Sequence, residues 1–232
     1  QMGQALMAGY KAWADGDALL PSEIDEYLMG QTTMRFATAT ARTAALTSPV
    51  AGMRSYLVDT GLEYIYSGTT WAPLEYWKKK ISAQSAANTT MQDDGHLRTT
   101  LVPGTFRVEV FLHASGSTTG DIAVQWAFAG TASESARTCF GPTRATTNTE
   151  GGTAGSPVTA ANTVGVTRAS THFLATAVPY GLDGSNNSAI HEDLFLVVTT
   201  GGILQMQWAQ ETSSGTASVL SVASRMYVKR YA

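Results

Sequence analysis

Apolar and polar residues alternate along most of the C-terminal half of the chain. In "GTFRVEVFLHA", Phe106, Val108, Val110 and Leu112 fall on one face, with Arg107, Glu109 and His113 opposite, the period-two pattern of a half-buried strand. "GDIAVQWAFAG" repeats it with Ile122, Val124, Trp126 and Phe128, and "GILQMQWAQ" sets Leu204, Met206 and Trp208 against Gln205, Gln207 and Ala209. "DLFLVVTT" is apolar throughout and predicts a strand buried on both sides, while "SVLSVAS" and "RMYVKRY" supply the last strands. Strands separated by Gly/Thr/Ser turns, with almost no helical period, predict an antiparallel β-sandwich or jelly roll over 96–232. The low-complexity stretch Thr143–Ala161 reads as a long surface loop. The Gln-bearing sheet face suits packing against a like sheet, and equally suits solvent.

The N-terminal pattern differs. In "LLPSEIDEYLMGQ", Ser22 is a good N-cap and Asp25 stands three residues on, a carboxylate variant of the capping box. Ile24, Tyr27 and Leu28 form one apolar stripe, and Gly30 is a C′ stop. A helix this short has to dock on something. "TMRFA" then alternates, "TARTAALTSP" allows one helical turn before Pro49, and "GMRSYLV" and "LEYIY" flank "DTG". Gly61 fits the left-handed position of a hairpin loop there, and Gly68 marks a second turn before Trp71. A zone of about 40 residues is too small to bury Tyr64, Tyr66 and Trp71 without metals, disulfides or partners. The expected organisation is thus a helix-plus-hairpin anchor module over 1–75, a linker over 76–95, and the sandwich over 96–232, mainly β overall.

Charge changes this picture little. Fifteen basic and 18 acidic residues give a net charge of −3, with no electrostatic footprint for nucleic acid or an anionic membrane. The one basic run, Lys78-Lys79-Lys80, reads as a solvated strand or linker edge. No apolar stretch reaches the ~20 residues of a membrane-spanning helix, and the N-terminal residues lack the layout of a secretory signal. Membrane insertion and export by the general route are therefore not expected. The single cysteine, Cys139, permits no intrachain disulfide and reads as a small packing residue.

A search for chemistry turns up no phosphate loop, no CxxC, no HExxH and no GxSxG elbow. His96, His113, His172 and His191 are scattered. "DDGH" at Asp93–His96 and "HED" at His191–Asp193 bring acids near a histidine, and each reads as a turn plus a strand end. "DGSNN" at Asp183–Asn187 opens like a calcium loop, but Ser188 and Leu194 stand where the sixth-position Gly and the twelfth-position acid belong. No enzymatic activity, metal or cofactor is expected.

The stretch "DALLPSEIDEYLMGQTTMRFATATARTAALTSPVAGMRSYLVDTGLEYIYSGTTWAPL" resembles the N-terminal region of structural proteins from tailed bacteriophages of actinobacterial type. A short "YLM" helix, an "RF" strand, an "ARTAAL" turn and a "Y-x-G-x-x-W" unit carry the likeness. "MQDDGHLRTTLVPGTFRVEVFLHASGSTTGDIAVQWAF" and the closing strands look like the jelly roll that often follows in such proteins. The resemblance implies a virion component, assembled in the bacterial cytoplasm and commonly homotrimeric. Its N-terminal module would attach to other virion proteins of tail or capsid, and its sandwich would be displayed outward. Ile24, Tyr27, Leu28, Tyr64, Tyr66 and Trp71 are then the expected assembly residues. Three roles follow: a tail fibre or knob binding a host surface glycan, a capsid decoration protein clamping the shell, and a cell-wall depolymerase.

Overall fold

The computed structural model describes residues 32–142, 167–182 and 187–231. The predicted helix with Ile24, Tyr27 and Leu28, the predicted 143–161 loop and most of "DGSNN" lie outside the described residues. The chain divides into two compact units, with the boundary between Glu75 and Tyr76.

In the first unit, β1 (Thr33–Phe36) leads into helix α1 (Ala39–Ala45) and then to β2 (Arg54–Leu57), β3 (Leu62–Tyr66) and β4 (Trp71–Pro73). The sheet order is β1-β2-β3-β4, with β1 parallel to β2 and the remaining pairs antiparallel. Thr38 caps α1: its hydroxyl accepts from Ala41 N at 3.1 Å. Gly61 takes the expected left-handed backbone, with φ of 67°, as β2 turns into β3. Alternation places Met34, Ser55 and Tyr64 in register on one face, and Ser55 and Leu57 there are fully buried.

The second unit contains β5 (Glu75–Lys79), β6 (Gln84–Ala86), β7 (Gln92–Leu101), β8 (Gly104–Ser115), β9 (Ile122–Phe128) and β10 (Thr131–Pro142). They are followed by β11 (Thr167–His172), β12 (Val178–Tyr180), β13 (Ser188–Thr200), β14 (Gly202–Ala209), β15 (Ser218–Leu220) and β16 (Arg225–Arg230). One sheet runs β11-β10-β13-β8, and β8 then pairs with both β15 and β16, which in turn pair with β6 and β5. The other runs β12-β9-β14-β7, all antiparallel. The stretch 76–95, expected as a linker, therefore carries most of β5, all of β6 and the start of β7.

Both sheets feed one core. Phe106, Val108, Val110, Leu112, Leu194, Leu196 and Val228 come from the larger, and Leu97, Val124, Trp126, Leu204, Met206 and Trp208 from the smaller. The predicted inward faces of β8, β9 and β14 supply this core, with Ile122 also buried and Phe128 half-buried at its edge. Strand β13 departs from expectation. Leu194, Leu196 and Val198 are buried, but Phe195 between them is 39% exposed, so the apolar run hides a one-sided strand. Its outward ring lies beside Arg107 on β8, whose long alkyl stem offers apolar cover that a shorter polar residue could not.

Lys80 also departs from its solvated reading. Its side chain is fully buried and ion-paired to Asp94, with Gln84 Oε1 accepting from its Nζ at 2.6 Å. Asp94 Oδ1 accepts from the backbone N–H of His96 and Leu97 at 2.9 and 2.8 Å. "DDGH" is thus part of β7 rather than a turn. A buried ion needs such a set of partners to offset its desolvation.

Candidate functional site

Three constellations of chemistry-bearing side chains stand out among the described residues. In the small unit, Arg42 of α1 reaches across the sheet. Its Nη1 donates to Ser55 Oγ at 3.1 Å, and its guanidinium lies 4.4 Å from the Trp71 ring and 5.0 Å from that of Tyr64. Tyr66 and Trp71 pack with ring centroids 5.3 Å apart. The three predicted assembly rings are therefore brought together, each half-buried, around an arginine that the sequence reading had not singled out. Desolvation lowers the tendency of Arg42 to hold its proton, and the nearby Tyr64 and Asp59 oppose this.

The second constellation lies between the two sheets of the large unit. Glu192 on β13 is fully buried and takes four donors on its two oxygens. Arg137 Nη2 (2.6 Å) and the Tyr180 hydroxyl (2.6 Å) meet Oε1, while Trp126 Nε1 (2.7 Å) and Arg137 Nε (3.0 Å) meet Oε2. Arg137 spends its other N–H groups on backbone carbonyls: Thr176 at 2.7 Å, Val124 at 2.9 Å and Leu174 at 3.3 Å. Burial alone would favour loss of the Arg137 proton, but the Glu192 charge and hydrogen bonds more than reverse this, and its pKa rises. Burial first, then the Glu192 carboxylate, push the Tyr180 hydroxyl far above its usual range. Both oxygens of the acid are saturated and Arg137 is fully enclosed, so the cluster cross-links the sheets and leaves no group to meet a substrate. Cys139 sits buried beside it, Sγ 3.9 Å from Glu192 Oε1, consistent with a packing residue.

The third constellation is the outer face of the larger sheet. "HED" lies inside β13, not at a turn. Glu192 points inward to Arg137, whereas His191 and Asp193 belong to the opposite face. Register places Phe140, His191, Phe111 and Arg225 in one row across β10, β13, β8 and β16. The Phe111 and His191 rings stack at 4.5 Å and 6°, and Phe140 and His191 at 5.7 Å and 18°. The Arg225 guanidinium then lies 5.4 Å from Phe111 and 5.9 Å from Trp77, which packs at 4.8 Å on Tyr227. Trp77 is 57% exposed. Beyond the row, Arg107 binds two acids of this face: Asp193 through Nε (3.0 Å) and Nη2 (2.8 Å), and Glu109 at 2.8 Å. Its hydrogen bonds to the Asp193 carboxylate hold the Arg107 guanidinium above its ordinary pKa.

His113, beside this row, lines an open cleft with Phe111, Phe140 and His191, whereas His96 is on β7 in the other sheet. No cluster of three or more metal-ligating side chains occurs among the described residues. No protein-family model matches the chain, and no curated protein matches it.

Proposed function

We propose that this chain is a non-enzymatic structural protein of a tailed-bacteriophage virion, of tail-fibre or knob type, acting as a homotrimer that displays a jelly roll for host-surface binding. The strand order of the large unit carries the reading. Setting aside the β10–β11 hairpin and counting β5/β6 and β15/β16 as one interrupted strand each leaves eight strands. In chain order, the first, eighth, third and sixth line up in one sheet, and the second, seventh, fourth and fifth in the other. A jelly roll, an architecture common in viral and lectin domains, would have its eight strands in this order, which supports the reading.

Two further observations support the reading. Three of the four acids singled out near histidines are ion-paired: Glu192 by Arg137, Asp193 by Arg107, and Asp94 by Lys80; the exposed Asp93 accepts from Gln207 Nε2 at 2.8 Å. This favours binding over hydrolysis, in which a carboxylate has to face the substrate. The half-exposed aromatic row, with the exposed Trp77 beyond Arg225, also suits a recognition surface, since contiguous apolar patches on soluble proteins commonly mark one. In this proposal Tyr64, Tyr66 and Trp71, with Ile24, Tyr27 and Leu28, pack between subunits or against other virion proteins.

Gold-labelled antibody against residues 96–232, applied to intact virions and viewed by electron microscopy, tests the assignment. Label at the tail or its tip is expected. Label spread over the head overturns the tail role in favour of capsid decoration, and no label on any particle removes the virion reading altogether. Sedimentation equilibrium tests the assembly: a trimer is expected at micromolar concentration, and a stable monomer overturns it.

A further inference from the structure

We infer that the outer face of the larger sheet holds a binding groove for a uronate, a carboxylate-bearing sugar unit of a surface polysaccharide. The inference rests on the host-glycan reading above and gives its site and ligand chemistry. The groove is an open cleft of about 360 Å³. One wall is the ring row of Phe140, His191 and Phe111, ending at Arg225; beside it stand Ala189 and His113, paired across β13 and β8. Ala189 is exposed and bears only a methyl group, so the row beside the wall is cut down at that point and leaves room for a ring-sized ligand.

The electrostatics select an anion. Rings stacked face to face with their neighbours present their edges outward, and aromatic edges carry the positive end of the ring quadrupole. Arg225 contributes a full positive charge. It is held between Phe111 and Trp77, and among the described residues it makes no ion pair, so its N–H fork remains available. His113 and His191 line the cleft beside it as further polar groups. No carboxylate lines the cleft. The nearest acids on this face, Glu109 and Asp193, are already held by Arg107. One fixed cation fits a monoanion, and the planar guanidinium fork matches a planar carboxylate bidentately. Against a net charge of −3 for the whole chain, a groove lined only by cationic and neutral groups is a local feature rather than a general one.

Isothermal titration of the full chain with tetragalacturonate, with a neutral glucose tetramer and a poly(glycerol phosphate) oligomer as comparators, tests this. Binding is expected for the uronate alone. Arg225→Gln and Ala189→Asp, both at exposed positions, each weaken it at least tenfold, while Lys229→Gln, which removes the same charge from the same strand, leaves it unchanged. Absent uronate binding, equal binding of the neutral tetramer, preference for the phosphodiester, or an equal loss in Lys229→Gln overturns the inference. Circular dichroism of each variant confirms that the fold is intact. Tail label without uronate binding removes this site and leaves the virion role standing. Uronate binding by a protein absent from virions does the reverse.

Discussion

Replacing Glu192 with Gln changes one oxygen for an amide nitrogen and almost nothing in shape. The four donors around the carboxylate come in two pairs: Arg137 Nη2 with the Tyr180 hydroxyl on Oε1, and Trp126 Nε1 with Arg137 Nε on Oε2. Whichever way the amide is turned, its NH2 confronts an Arg137 N–H that cannot accept, and the charge of the enclosed Arg137 loses its counter-ion. Breaking a buried pair by removing one partner costs about 3–5 kcal/mol, a large share of the roughly 5–15 kcal/mol that stabilises a domain. With a slope of about 2 kcal/mol per molar urea, the unfolding midpoint falls by about 2 M. The assay is urea titration read by tryptophan emission, which follows the buried Trp126 and Trp208. Asp193→Asn is the matched control one residue away. Its ion pair with Arg107 is partly solvated, so screening holds its cost to about 0–1 kcal/mol. A loss below about 1 kcal/mol for Glu192→Gln, or equal losses for the two variants, refutes the claim that the inward acid ties the sheets together.

Stability at high pH follows from the tyrosines. Burial raises the pKa of Tyr180 and of Tyr76 in the folded state, so the unfolded chain gives up these protons first. Their contribution is complete below about pH 10 and is lost as pH rises beyond it, at up to about 1.4 kcal/mol per pH unit for each; Tyr180→Phe makes the alkaline slope shallower in urea titrations between pH 9 and 11. Lys80→Met leaves the buried Asp94 charge without its cation and costs about 3–5 kcal/mol, checked by the same titration at neutral pH. Arg42→Ala removes the bond to Ser55 and the cation between Trp71 and Tyr64, a loss of about 1–2 kcal/mol; faster amide exchange in β2 and β3, with exchange in β8 and β13 unchanged, is the expected signature. A Cβ at Gly202 would overlap the Gly130 backbone, so Gly202→Ala displaces backbone and costs about 1–3 kcal/mol, measured as a lower thermal midpoint.

The strands legible in the sequence are those whose alternation is strict, β8, β9 and β14 above all. Strands β7 and β10 carry the inward charges Asp94 and Arg137, so a polar-out rule reads them as surface. Their meaning appears only when Lys80 and Glu192 arrive from elsewhere in the chain. β13 misled in the opposite direction, because Phe195 on its outward face makes the run apolar. The candidate groove was hidden by its own construction. Phe111, Phe140, His191 and Arg225 come from four strands far apart in sequence, and only sheet register brings them into one row. A local signal did exist: Phe111 shares the outward face of β8 with Arg107, Glu109 and His113, an aromatic where solvent exposure alone favours a polar residue. The hairpin around Gly61 was fully legible. The ring packing of Tyr64 and Trp71 was not, since it depends on Arg42 from a helix whose sequence is otherwise bland.

The buried Lys80–Asp94 pair has a mechanical meaning. Tension drawn along the chain from the small unit enters the large one at Tyr76, in β5, and within one strand's length meets Lys80, whose side chain is tied by charge to β7 in the other sheet. Peeling of β5 from β16 that started at Tyr76 would run to the end of the strand and stop at Lys80, because going further would separate two buried charges at once. The lysine would then act as a rivet that keeps a peeled strand from opening the sandwich behind it.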